Sequence, residues 1–179
     1  MKKSDRCILI DADVISHFIT AGEMIAMPSI FPYQIYVLDK VYRELDRFPR
    51  RKREVENLLN FGLIKEMPFP EHDDAIMKEY AYIKKMMFKG DGEAACMAVT
   101  RASKNILASS NLKDVSHYCK MHNIDLLTTM DFLCEALRKN IFDLARCNAF
   151  INKVLSAGSK LPVTKIEDHP CKKHDFIPD

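Results

Sequence analysis

Short, almost wholly apolar runs at residues 7–10 (CILI), 35–38 (IYVL), 105–109 (NILAS) and 124–128 (IDLLT) constrain this chain most. A strand with one wet face alternates apolar and polar residues, whereas a continuous apolar run is buried on both faces. A further short strand is expected within 61–67. Between the runs lie helical patterns: one from 13 that ends near Gly22, one from about 39 that stops before Pro49, and one at 51–60. Others follow at 72–88, 91–104, 111–122, 130–140 and 141–156. Pro28 and Pro32 punctuate a loop. Buried strands alternating with helices imply an α/β chain: a three-layer α/β/α domain around a mostly parallel central sheet. Its 179 residues suit one domain, expected to span 1–157, with a polar C-terminal tail over 158–179.

Hydrophobic residues make up 47% of the chain and charged ones 29%, which excludes a disordered polypeptide. No apolar run approaches the roughly 18–20 residues that span a bilayer, and the opening MKKSDRCILIDAD is not a secretory leader. A cytoplasmic protein without membrane attachment is therefore expected. The six cysteines fall singly, with no Cys-x-x-Cys pair, and read as small core residues with free thiols. His17 reads as a core-edge residue, and Met77, Met86, Met87 and Met97 as core or interface packing. The tract DHPCKKH, with Asp168, His169, Cys171 and His174, has ligand-type side chains but no second cluster to complete a metal site.

A net charge of +2 does not by itself announce a polyanion partner. Its distribution says more: Arg47, Arg50, Arg51, Lys52 and Arg53 fall within seven positions, and Lys84, Lys85 and Lys89 form a second group. Such clusters attract phosphate backbones, or simply solvate a helix surface.

The first apolar run ends in Asp11 and Asp13. Carboxylates at the end of a buried strand cost folding energy unless a cation offsets them, and in open α/β sheets ligands bind beyond the carboxyl ends of the strands. Further oxygen donors occur at comparable places. Glu44 lies on the helix after the second strand, and Glu93 opens the helix of GDGEAACMAV. Ser109, Asn111 and Asp114 follow the run ILA. Each alone reads as a solvated or capping residue; the combination carries the weight.

These four stretches resemble the motifs of the PIN-domain ribonucleases, especially the toxin-like members of bacterial and archaeal toxin–antitoxin pairs. LIDADVIS matches the apolar strand ending in Asp, then a small residue, then Asp or Asn. Glu44 in VYREL matches the second motif, Glu93 in GEAACMAVTRA the third, and ILASSNLKD the fourth. The resemblance covers residues 7–140, with 18 positions between Glu93 and Asn111. Two departures stand out. The third acid is Glu where Asp is commoner, and Asn111 leaves the charge of the fourth motif to Asp114. Asp91 is a possible substitute for Glu93.

The resemblance implies hydrolysis of RNA phosphodiesters with Mg²⁺ or Mn²⁺, by Asp11, Glu44, Glu93 and Asp114. Asp11, Glu93 and Asp114 would be metal ligands, and Asp13, Ser109, Asn111 and Asp91 their supporting shell. Arg47, Arg50 and Arg51 would contact RNA. It also implies a homodimer and a small antitoxin partner. Two alternatives stay open. One is a PIN-like domain that binds RNA or a partner without cutting. The other is a haloacid-dehalogenase-type phosphatase, since ILIDADV fits an Asp-x-Asp signature with Asp11 as nucleophile. The phosphatase lacks its usual glycine, because Val14 holds that place, and has no late strand ending in paired acids.

Overall fold

The computed structural model describes residues 6–87 and 90–178, apart from the side chains of Leu112 and Asp114. Five parallel strands form one sheet in the order β3-β2-β1-β4-β5. They are β1 (Ile8–Ile10), β2 (Ile35–Leu38), β3 (Lys65–Met67), β4 (Ile106–Ala108) and β5 (Leu126–Leu127). The central strands β1 and β4 are fully buried, as continuous apolar runs require. By contrast β3 is an edge strand, and it exposes Lys65 and Glu66. In register, Ile8 lies beside Ile35 on one side and Ile106 on the other, and Ile10 beside Ala108.

The helices are α1 (Ala12–Ala21), α2 (Met27–Ile30), α3 (Asp39–Glu44), α4 (Pro49–Asn60), α5 (Asp74–Met86), α6 (Asp91–Ser103), α7 (Leu112–His122), α8 (Thr129–Arg138) and α9 (Leu144–Ser156). The chain runs outward from β1 through β2 to β3, then crosses back over β1 to reach β4. Right-handed crossovers of opposite travel place their helices on opposite faces. On one face α1, α8 and α9 meet through the edge-on rings of Phe18, Phe132 and Phe150. On the other, α5, α6 and α7 are tied together by Glu79, which pairs with Arg101 and accepts the Tyr118 hydroxyl at 2.6 Å. No helix among the described residues is long and apolar enough to cross a membrane.

Two proline expectations shift. Pro28 lies in the first turn of the short helix α2 instead of in a loop, because a proline fits there, where no N–H bond is lost. The helix from 39 ends at Glu44, passes through a 3-10 turn at Leu45–Arg47, and breaks at Phe48; Pro49 then opens α4. The last helix begins at Leu144, later than 141, because Asp143 caps it by accepting the Arg146 N–H at 2.7 Å.

One expectation is overturned. The cysteines are not all free thiols: Cys134 on α8 and Cys171 in the tail are joined, with Cα atoms 5.5 Å apart. They are 37 residues apart in sequence, so no local spacing announces the pair. The remaining four cysteines are buried and free, as small core residues. The segment after Gly158 is polar but docks on the domain: Ile166 and Ile177 are buried, and the Tyr33 hydroxyl donates to the Phe176 carbonyl. His174 of the DHPCKKH tract bonds Asp131 at 2.7 Å. Of the methionine stripe, Met97 is core, Met77 and Met87 are partly buried, and Met86 is exposed.

Candidate active site

The sheet reverses its direction of travel between β1 and β4, and the crevice beyond their carboxyl ends is where such sheets bind ligands. Asp11 stands there. Its N–H donates to the Ala108 carbonyl at 2.9 Å, which locks the two strand ends together. Its carboxylate caps α1 by accepting the Ala12 N–H at 2.7 Å, and the residue is only 5% exposed. Asp13, in the first turn of α1, accepts the Val14 N–H at 2.6 Å through one oxygen. Through the other it accepts the Ser110 N–H at 2.8 Å, bridging to the loop after β4.

Glu44 arrives from α3. Its Oε1 accepts the Gly92 N–H at 2.8 Å in the first turn of α6, where exposed amides and the helix dipole favour a negative charge. The approach is close: a Cβ on Gly92 would lie 3.0 Å from Glu44 Oε2 and 3.0 Å from the Val41 Cα. Glu93 is the next residue. Its Oε1 is buried, and its Oε2 accepts from the Asn111 side-chain amide at 3.3 Å. Ser109, fully buried, accepts the Asn111 N–H at 3.3 Å.

The electrostatics report the same convergence. Burial pushes the Asp11 carboxyl well above the usual carboxylate range, and the negative charges of Asp13, Glu93 and Glu44 push it further. Burial also raises Asp13, against the backbone N–H groups of Ser110, Val14 and Asn111. The Cys96 thiol, wholly enclosed in α6, is pushed up by burial and then by the same four acids. Four carboxylates therefore share one region, drawn from β1, α1, α3 and α6.

Asp91 is placed differently. It is exposed, accepts the Tyr80 hydroxyl at 3.0 Å and pairs with Lys84, which holds its carboxyl below the usual range. The side chain of Asp114 lies outside the described residues. Among the described residues, no three His, Cys, Asp or Glu side chains stand close enough to hold a metal ion. The donor set suits a hard cation all the same: the gathered acids offer oxygen only, they repel one another, and Mg²⁺ and Mn²⁺ prefer such ligands.

Arg51 reaches across from α4. It donates to Ser16 Oγ on α1 at 3.1 Å and covers the Phe48 ring at 4.6 Å from its centroid. Arg47 lines a cleft of about 470 Å³ together with Glu44, Gly90 and Asp91. Arg50 is exposed on α4.

A polar chain behind the carboxylates escapes sequence reasoning. Ser110 Oγ lies 2.6 Å from the fully buried Thr129 hydroxyl, which lies 2.8 Å from His17 Nδ1. Together with the Ser110 N–H it links Asp13 to the start of α8. His17 is 6% exposed, and burial, then the Arg51 charge, lowers its pKa to about 4. Only the second serine of SSN and the TTM before a helix pattern signal it, and both read equally well as helix caps.

No family model matches the chain, and no curated protein matches it. Among solved structures it is similar to VapBC2 from Rickettsia felis, bound to a DNA fragment from their promoter. That likeness has 11% identity and a TM-score of 0.49, over 68% of this chain and 98% of the other.

Proposed function

We propose that this chain is a divalent-metal-dependent endoribonuclease of the PIN type, and the toxin of a toxin–antitoxin pair. One observation carries the reading: Asp11 is buried at the switch point of a parallel sheet, with the negative charges of Asp13, Glu93 and Glu44 acting on it. Carboxylates so placed are costly without a cation. The three stretches that supply them are among the four that resemble the family's motifs, in the same order.

In this reading Asp11 and Glu93 hold Mg²⁺ or Mn²⁺, with Asp114 as the third ligand. When bound, the ion lowers the pKa of a coordinated water and offsets charge on the scissile phosphate. Glu44, fixed by the Gly92 N–H, orients the attacking water or a second ion. Asp13 acts at one remove by tying α1 to the Ser110 N–H beyond β4, Ser109 by accepting the Asn111 N–H, and Asn111 by fixing the Glu93 carboxylate. Arg47, Arg50 and Arg51 supply the positive rim that an RNA backbone needs. A small antitoxin and a second copy of the chain are the partners expected from the resemblance, and a cytoplasmic location goes with them.

A second reading, a PIN-like domain that binds RNA without cutting it, is favoured by Asn111 at the fourth motif and by the lack of a three-donor cage among the described residues. One experiment separates the two. Purified protein is incubated with single-stranded RNA and Mn²⁺, and the products are mapped. The nuclease yields internal cuts with 5′-phosphate ends, abolished by EDTA and by Asp11→Asn or Glu93→Gln in proteins that remain folded. RNA binding without such cuts establishes the second reading. Cleavage that survives in folded Asp11→Asn overturns the mechanism.

A further inference from the structure

The break between the 3-10 turn and α4 builds something the carboxylates do not use. Pro49 disfavours helical backbone at Phe48, which takes φ −131° and ψ 77° and leaves the helical path. Its ring stands at the corner, 48% exposed, with the Arg51 guanidinium over it. Arg51 is itself pinned by Ser16 Oγ, so the ring is held in place instead of swinging in solvent. Phe48 also lines the cleft that contains Glu44, one of the acids whose charge acts on Asp11.

The charges in this cleft are unequally committed. Arg43 pairs with Asp39 and Lys84 with Asp91. Arg47 makes no ion pair among the described residues. A fixed, half-exposed aromatic ring beside an uncommitted guanidinium is the chemistry that takes unpaired nucleic acid: a base stacks on the ring and a neighbouring phosphate meets the cation. An acidic peptide would use the cation but gain nothing specific from the flat ring.

We infer that Phe48 and Arg47 form a subsite that stacks one unpaired base of single-stranded RNA and grips its adjoining phosphate, which fixes where the strand enters the carboxylate cleft. Arg51 is the positioning residue for the ring. The subsite rests on the proposed function for its substrate class, but its test needs no catalysis.

The test is fluorescence anisotropy of a labelled uridine oligomer with the full chain in EDTA at low salt. Phe48→Ala weakens binding about tenfold, as loss of one stacked base does, and Phe48→Leu behaves like Ala, because apolar bulk without a π face does not replace stacking. Phe48→Trp binds at least as well as the parent. Arg47→Ala weakens binding and flattens the log–log salt slope by about 0.7, the value for one phosphate on a single strand. Equal affinity of Phe48→Leu and the parent overturns the stacking role, as does equal competition by double-stranded RNA or by polyglutamate. No binding by the parent protein overturns it as well. The two proposals fail separately. Phe48-dependent binding without Mn²⁺-dependent cuts sustains the subsite and sinks the nuclease; cutting at an unchanged KM in Phe48→Ala does the reverse.

Discussion

Gly92→Ala tests the geometry on which the site depends. The new methyl group meets a carboxylate oxygen, the Val41 side chain and the Val41 Cα, each at 3.0 Å. Real Cβ atoms need a few tenths of an ångström more, and a backbone atom cannot swing aside, so α3 and α6 must part or Glu44 must leave. Overpacking of this kind costs about 1–3 kcal/mol. Displacing Glu44 also removes its bond from the Gly92 N–H, a charge-assisted bond worth about 1.5–3 kcal/mol. Alanine returns up to about 1 kcal/mol of helix propensity, and less in a first turn. The two losses overlap, since parting the helices relieves the clash as it breaks the bond, so the net expectation is about 2–4 kcal/mol. For a chain of this size that lowers Tm by roughly 5–15 °C. Urea unfolding of both proteins, with unchanged m values, measures it. The Glu44→Ala background sharpens the test: with the carboxylate gone, Gly92→Ala should cost less, and the coupling appears as a non-additive cycle. A Gly92→Ala protein as stable as the parent, or additive in that cycle, refutes the close-approach argument.

Three further outcomes follow from other parts of the molecule. Asp11→Asn should raise the Tm of the metal-free protein, since it removes a buried charge from among like charges; on the proposed reading Mn²⁺ should raise the Tm of the parent and leave that of Asp11→Asn unchanged, and differential scanning fluorimetry reads both. His17 has a folded pKa of about 4 against 6.5 unfolded, so the unfolded chain binds the extra proton between those values. Stability therefore falls as pH drops through that window, by about 3 kcal/mol if His17 acts alone, and a His17→Gln protein should show a flatter Tm profile from pH 7 to 4. Cys171→Ser opens a loop closed across 37 residues, for which chain entropy predicts a loss of about 4 kcal/mol. A reductant should lower the parent's Tm similarly and leave Cys171→Ser unmoved.

The sheet was legible because continuous apolar runs admit few other fates. Strand 35–38 and the stop at Gly22 were read correctly, the latter because a left-handed backbone with φ 78° ends α1. The stop before Pro49 holds, but Pro28 lies in a helix and α4 begins at Pro49 instead of 51, because a proline can begin a helix as readily as end one. Asp11, Asp13, Glu44 and Glu93 could be nominated from their strand-end and helix-start positions. That Asp91 turns to Lys84, two residues from Glu93, is decided by packing between α5 and α6 and leaves no mark on the sequence. The Ser110–Thr129–His17 chain and the Cys134–Cys171 bond join segments separated by whole helices and strands, and single residues of common types give no warning of such partners.

The bond between Cys134 and Cys171 turns the stretch between them into a covalent ring that contains all of α9. Ends of chains ordinarily fray first, but peeling that starts beyond Cys171 halts there. The ring can lift from α1 only as a closed loop, giving up the Phe18–Phe150 contact while both its ends stay tethered. Amide exchange should therefore be slow along α9 until the thiols are reduced, and the cheapest openings of the molecule should fall in the half built from α4 and β3.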